Sequence, residues 1–197
     1  TGTFVKRYKR FFVDIRYKNK KITAHCPNSG SMMGLLNEGN KVWFSISDNK
    51  KRKLKYTLQI IEQNKEFVGI NTHLTNKIVE EALNTKKISE LSNMVLLKKE
   101  ASYDKETRFD FLLKHKLKNC FLEVKNVTLS RTKYVAEFPD AKTQRGKKHL
   151  LKLIEASKRG FNSYMLYLIQ RNDCKTFRIA EDIDLEYAKA YEYAKKK

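Results

Sequence analysis

The sequence predicts an α/β (α+β) protein in two parts, an N-terminal OB-like small β-barrel followed by a mixed sheet flanked by helices. Three observations carry this. Five short alternating apolar segments, separated by Asn, Lys and Gly turns, fill the stretch up to Val68. Beyond Gly69, helix-length periodic segments interleave with strand-length apolar runs, the pattern of an α/β or α+β domain. The 197 residues, 41% of them hydrophobic, suffice for one good core or two small ones.

Taken in order, the barrel strands are expected at residues 11–17, 22–25, 41–47 and 54–62, with a last one beginning at Phe67; turn residues fall at 18–21 and 48–53. A helix over 75–84 opens on Thr75 as N-cap and sets Ile78, Ala82 and Val79 on its buried stripe. Strands follow at 95–103, 108–113 and 120–127, then a helix over 143–159 ended by Gly160. Residues 161–170 are almost uninterrupted in apolar and aromatic character, as in a strand buried on both faces. A helix over 184–197 closes the chain.

Charge points to the partner. The formal net charge is +20, and Thr1–Val68 holds 15 Lys/Arg against 5 Asp/Glu, a density that seeks a polyanion. Arg7, Lys9 and Arg10 interleave with Tyr8, Phe11 and Phe12, while Lys51, Arg52 and Lys53 form a basic loop beside Tyr56. Basic side chains neutralise phosphates and aromatic rings stack on bases; the alternative is a solvated charged face. Arg145, Lys147 and Lys148 fall in the first turn of a helix, where free amides already favour an anion. No run nears the roughly 20 apolar residues that span a bilayer, and the start has no apolar signal core, so a soluble cytoplasmic protein is expected. Cys26, Cys120 and Cys174 lack ligand or disulfide spacing. The segment 25–34 lacks the Gly-Lys-Ser/Thr of a phosphate-cradling loop and reads as structural, with Asn28, Ser29 and Ser31 as secondary phosphate donors; no small-molecule cofactor is expected.

Chemistry concentrates at Asp110 and at Glu123-Val124-Lys125, each near the end of its own strand-like run. Alternation sends Glu123 and Lys125 to one side and Val124 to the core. Two acids and a lysine are the minimum for metal-assisted phosphodiester hydrolysis: carboxylates hold a cation against a phosphate oxygen, and the ammonium orients water or stabilises charge. By spacing alone, a Glu-x-Lys pair on a wet strand face is more often a solvated ion pair worth under about 1 kcal/mol. Asp140 is a further candidate neighbour, although Pro139-Asp140 also reads as a turn.

The blocks His25-Cys26-Pro27-Asn28-Ser29-Gly30-Ser31-Met32, Ile70-Asn71-Thr72, Glu123-Val124-Lys125-Asn126-Val127-Thr128-Leu129, Phe138-Pro139-Asp140-Ala141 and Arg145-Gly146-Lys147-Lys148-His149-Leu150 occur in this order. With them the chain resembles the SfsA family, the sugar fermentation stimulation proteins, over residues 7–194. The resemblance implies an OB-like nucleic-acid-binding domain at 1–68 and a restriction-endonuclease-like PD-(D/E)xK domain at 69–197, with DNA binding as the activity. Its motif falls on Asp110, Glu123 and Lys125, with Glu81 as the helix acid; Phe109 stands where the generic motif has proline. Family members continue past the last helix, so a short member or a fragment is expected. The function expected is a DNA-binding protein with a Mg2+- or Mn2+-dependent nuclease site. The rival is a non-catalytic transcriptional accessory factor linked to sugar metabolism. RNA as target, strand preference and oligomeric state stay open.

Overall fold

Alternating apolar and polar residues roll the first strands into a barrel in a computed structural model that describes residues Thr1–Lys197. Strands β1 (Gly2–Tyr8), β2 (Phe12–Tyr17), β3 (Lys20–His25), β4 (Lys41–Ile46), β5 (Tyr56–Gln63) and β6 (Glu66–Gly69) form one sheet in the order β3-β2-β1-β4-β5-β6. A parallel pairing of β3 with β5 closes five of them into the expected OB-like barrel. Strand β1 was not among the expected segments; its Lys6, Arg7 and Tyr8 dilute the apolar alternation. Tight reversals follow from local chemistry. Lys18 and Asn19 join β2 to β3 with φ of 48° and 61°, and Asn64 and Lys65 join β5 to β6 with 53° and 67°, the left-handed pair whose twist matches a hairpin. Inside lie Phe4, Val13, Ile15, Ala24, Val42, Leu58, Ile61 and Val68.

The remaining elements are α1 (Thr75–Asn84), β7 (Val95–Ser102), β8 (Arg108–His115), β9 (Lys118–Val127), β10 (Leu129–Thr132), β11 (Val135–Phe138), α2 (Gln144–Lys158), β12 (Asn162–Ile169), β13 (Thr176–Ile179) and α3 (Leu185–Lys195). No helix is long and apolar enough to cross a membrane. Strands β7, β8, β9 and β12 make a four-stranded sheet in the order β12-β9-β8-β7. One face of it packs Phe111, Leu113, Leu122 and Val124 with Val79 and Leu83 of α1. The other packs Phe109 and Phe121 with Leu153 and Ala156 of α2. Each buried side chain of this size contributes about 1.5–3 kcal/mol.

Two expectations need correction here. Thr75 does not cap α1: the N-cap is Leu74, and the buried stripe is Thr75, Val79 and Leu83 at i, i+4 and i+8, leaving Ile78 39% exposed. Strand β12 is not buried on both faces. Its apolar residues do pack on both cores, but it is the sheet's edge strand, so every residue stays half-exposed. Helix α2 starts where Thr143 Oγ1 accepts from Gly146 N–H at 3.1 Å, and Gly160, with φ of 92°, follows its end.

The chain forms two compact units, and they are not consecutive in sequence. The first runs to His73 and takes back residues 127–141 and 169–179; the second holds 74–126, 142–168 and 180–197. The segments that return to the first unit carry a small sheet, β10-β11-β13, of strands too short for periodicity to reveal. Its organising residue is Glu137, 1% exposed, whose carboxylate accepts from the Arg131 guanidinium at 2.9 and 3.0 Å and from Arg178 Nε at 2.9 Å. Arg131 above all, against the cost of burial, holds its pKa down to about 2. A depressed carboxylate stabilises the fold fully above its unfolded pKa of about 4.3 and loses that contribution as pH falls toward the folded value. Glu137→Gln is therefore expected to cost about 1–3 kcal/mol at neutral pH. In denaturant titrations the deficit should shrink toward zero between pH 4 and pH 2 (about the unfolded and folded pKa values).

Candidate functional site

The ends of two neighbouring strands bring two acids together in the second unit. Strands β8 and β9 are antiparallel, and their ladder runs up to Phe111 opposite Leu122. Beyond that pair the alternation of β8 breaks, Phe111 packing with α1 and Phe109 with α2, and Asp110 comes close enough to Glu123 for the charge of one to act on the other. The strands have left the ladder there, and the freed Val124 N–H is taken by Asp110 Oδ2 at 2.7 Å. Asp110 Oδ1 accepts from Asn76 Nδ2 of α1, also at 2.7 Å.

Glu123 is 4% exposed, which removes the reading of a solvated strand-face ion pair. Lys125 projects to the same side, as alternation requires, and its Nζ lies 2.6 Å from Glu123 Oε1. His149 Nδ1, buried on α2, hydrogen-bonds the same oxygen. All this bonding falls on Oε1, whereas Oε2 is buried with no hydrogen-bond partner. The two acids respond oppositely. Burial raises the Glu123 pKa, but the His149 bond and the Lys125 charge outweigh it and bring the carboxyl below its usual range. Burial, then the Glu123 charge, pushes Asp110 up despite the bonds from Val124 N–H and Asn76.

The donor set fits a divalent cation of the kind that takes one or two carboxylates and completes its shell from water and phosphate. The orphaned Glu123 oxygen and the destabilised Asp110 carboxylate are the two groups a cation would relieve. No group of three or more His, Cys, Asp or Glu forms a fuller cage. Glu81 does not join the cluster. It is exposed, and lies five residues along α1 from Asn76, about 140° around the helix at 100° per residue, so Asn76 is the α1 residue that reaches Asp110. Asn76 and His149 were not singled out as site residues. Nothing in the sequence marks Asn76; His149 had a signal, since it sits four before Leu153 on the apolar stripe, where a histidine needs a polar partner.

The expected nucleic-acid residues separate into free and engaged groups. In the first unit Lys9, Arg10, Lys51, Arg52 and Lys53 are exposed, Arg52 also donating to Thr57 Oγ1 at 3.0 Å. Arg7 is different: its guanidinium donates to the carbonyls of Arg10 (2.7 Å), Gly30 (2.9 Å), Ser31 (3.3 Å) and Asn28 (2.6 Å), so it clamps the 28–31 loop. Asp140 serves the same loop, accepting from Met32 N–H at 3.1 Å, and Gly30 is required beside it because a Cβ there would sit 2.6 Å from Asp140 Oδ2. In the second unit Arg145 is exposed, while Lys147 pairs with Glu186 at 2.8 Å and Lys148 with Glu106 at 2.9 Å. Such exposed pairs are worth about 0–1 kcal/mol and open readily to a phosphate.

Comparison with known proteins agrees with this architecture. The family model for the SfsA N-terminal OB domain matches residues 5–70, and that for the sugar fermentation stimulation protein RE domain matches residues 73–197. A sugar fermentation stimulation protein homolog of Pelagibacter ubique is 53% identical over 195 residues, spanning 99% of this chain and 84% of its own. The homolog of Caulobacter vibrioides is 46% identical over 197 residues, spanning 99% and 82%. The structure of Pyrococcus furiosus SfsA in complex with Ca2+ has the same fold, with a TM-score of 0.90 at 22% identity over 99% of this chain and 83% of that one.

Two substitutions test this geometry. A carboxyl raised by burial and a like charge costs stability as pH rises through its folded pKa, a cost absent below the unfolded one. Asp110→Asn should therefore unfold at a higher temperature than the natural chain at neutral pH, with the gain fading as pH falls below about 4. The introduced amide can still accept from Val124 N–H while Asn76 turns its own amide. Arg7→Ala should lower stability by about 1–3 kcal/mol through the unpaired loop carbonyls, and Lys9→Ala should leave it unchanged in the same thermal melts.

Proposed function

This chain belongs to the sugar fermentation stimulation protein (SfsA) family, and on that premise we propose that it is a DNA-binding protein of the cytoplasm with a divalent-metal-dependent phosphodiester hydrolase site of PD-(D/E)xK type. The observation that carries the reading is the buried, partnerless Oε2 of Glu123 beside an Asp110 whose charge is disfavoured. Asp110 and Glu123 would hold Mg2+ or Mn2+, with the carbonyl of Val124 as a third donor. Bound there, the ion supplies Lewis-acid polarisation of a phosphate oxygen and offsets its charge. The Pyrococcus furiosus relative was solved with Ca2+, another hard cation that takes oxygen ligands.

The chain's own groups do the rest. Lys125, 14% exposed at its side chain, has three donors and spends one on Glu123, leaving the others for an attacking water or for the charge that develops on phosphorus. His149 and Lys125 fix Glu123 by one oxygen and leave the other, buried, without a hydrogen bond. Asn76 and the Val124 amide fix Asp110. The net charge of +20 supplies affinity for the polyanion without sequence preference.

A second reading, a non-catalytic DNA-binding accessory factor, draws on the small acid count, since Glu81 is exposed and two carboxylates are a minimal set. Incubation of the purified protein with plasmid and oligonucleotide DNA separates the two. The hydrolase reading expects cleavage with Mg2+ or Mn2+, stopped by chelator, and reduced at least ~100-fold in Asp110→Ala and Lys125→Ala. Cleavage that survives Asp110→Ala removes this site. Binding without cleavage, weakening by about 0.9 log unit per log unit of salt for each duplex phosphate neutralised, leaves the accessory role.

A further inference from the structure

Three rings that take no part in the acid cluster step across one end of the barrel. Phe11 lies in the β1–β2 connection, its carbonyl accepting from Cys26 N–H at 2.8 Å; His25 ends β3; and His73 follows β6, its N–H held by Asn71 Oδ1 at 3.0 Å. The Phe11 and His25 rings are 6.3 Å apart between centroids with planes 28° apart, and His25 and His73 are 6.1 Å apart at 41°. Phe11 is 43% exposed, His73 is exposed and His25 is half-buried. Of the other barrel aromatics, Tyr8 and Phe12 stack on each other at 19°, while Tyr17 with Phe44 at 83°, Phe44 with Tyr56 at 88° and Trp43 with Phe67 at 85° meet edge to face.

Charge flanks the ladder on both sides. Lys9 and Arg10 immediately precede Phe11 in an exposed turn. On the other side, His25 pairs with Thr57 across β3 and β5, and Thr57 Oγ1 accepts from the Arg52 guanidinium at 3.0 Å, which sets the Lys51-Arg52-Lys53 loop beside the imidazole. Burial first, then His73 and Arg52, lower the His25 pKa, so at neutral pH its ring is an uncharged stacking surface. In small barrels of this type, strands two and three with the loops joining strands one to two and four to five form the oligonucleotide face. Here those loops carry Phe11 and the basic run, and His25 lies between them.

We propose that the Phe11–His25–His73 ladder binds single-stranded nucleic acid, its rings stacking unpaired bases while Lys9, Arg10, Lys51, Arg52 and Lys53 follow the phosphates. This rests on the nucleic-acid reading above and adds the strand class, because a duplex keeps its base faces stacked inside and has none to offer the rings. Fluorescence anisotropy at one fixed salt concentration tests it, with labelled oligothymidylate, oligouridylate, an abasic sugar-phosphate strand and a duplex, each about 16 nucleotides long. The natural chain should bind the two base-bearing strands more tightly than the abasic one; the tighter of the two identifies DNA or RNA. Phe11→Ala and His25→Ala should each weaken single-strand binding by about 5- to 100-fold and leave duplex binding unchanged, with Phe11→Trp restoring it. Unaltered single-strand affinity in folded Phe11→Ala and His25→Ala, or equal loss on single strand and duplex, overturns the ladder alone. Failure of the natural chain to bind any of the four overturns the nucleic-acid reading with it.

Discussion

Two carboxylates close enough to feel one another's charge near the end of an antiparallel pair, one of them buried, set the terms for the second unit. Like charges held together out of water raise one another's cost of ionisation, and the fold answers unequally. Glu123 receives Lys125 and His149 on one oxygen and is held ionised. Asp110 receives only neutral donors and is pushed toward its protonated form. The surrounding elements read as supports for this arrangement: α1 delivers Asn76, α2 delivers His149, and the separation of β8 from β9 frees the Val124 amide. Such an arrangement spends stability in the absence of a cation, as functional sites commonly do.

The barrel solves a different problem. Its strands bury an apolar interior and leave the connections to carry charge and rings, so these exposed groups sit on loops held by a stable scaffold. Arg7 shows how easily composition misleads. In sequence it belongs to a basic cluster; in space its guanidinium is consumed by backbone carbonyls, and the exposed positive charge of that cluster is carried by Lys9 and Arg10.

Alternation made most of the fold legible. Barrel strands β2 to β6, strands β7, β8, β9 and β12, and all three helices appear within a few residues of where apolar periodicity and turn chemistry put them. Besides β1, the strands that escaped, β10, β11 and β13, have four residues each, and what holds them is Glu137 with Arg131 and Arg178, residues far apart in sequence. The phase of α1 was misjudged because Ile78 is more apolar than Thr75, yet Thr75 is the buried one, set against Asn126 at 3.2 Å. At the site, the same-side projection of Glu123 and Lys125 followed from strand geometry. The partners Asn76 and His149 depend on tertiary packing, which no local pattern encodes.

The most direct test of the acid pair is a carbon-detected NMR titration of the side-chain carboxyls, without and with Ca2+. The expected result is that Asp110 titrates above, and Glu123 below, the ordinary carboxyl range, and that added Ca2+ draws Asp110 downward. Ordinary titration of both groups, unmoved by the cation, would contradict it.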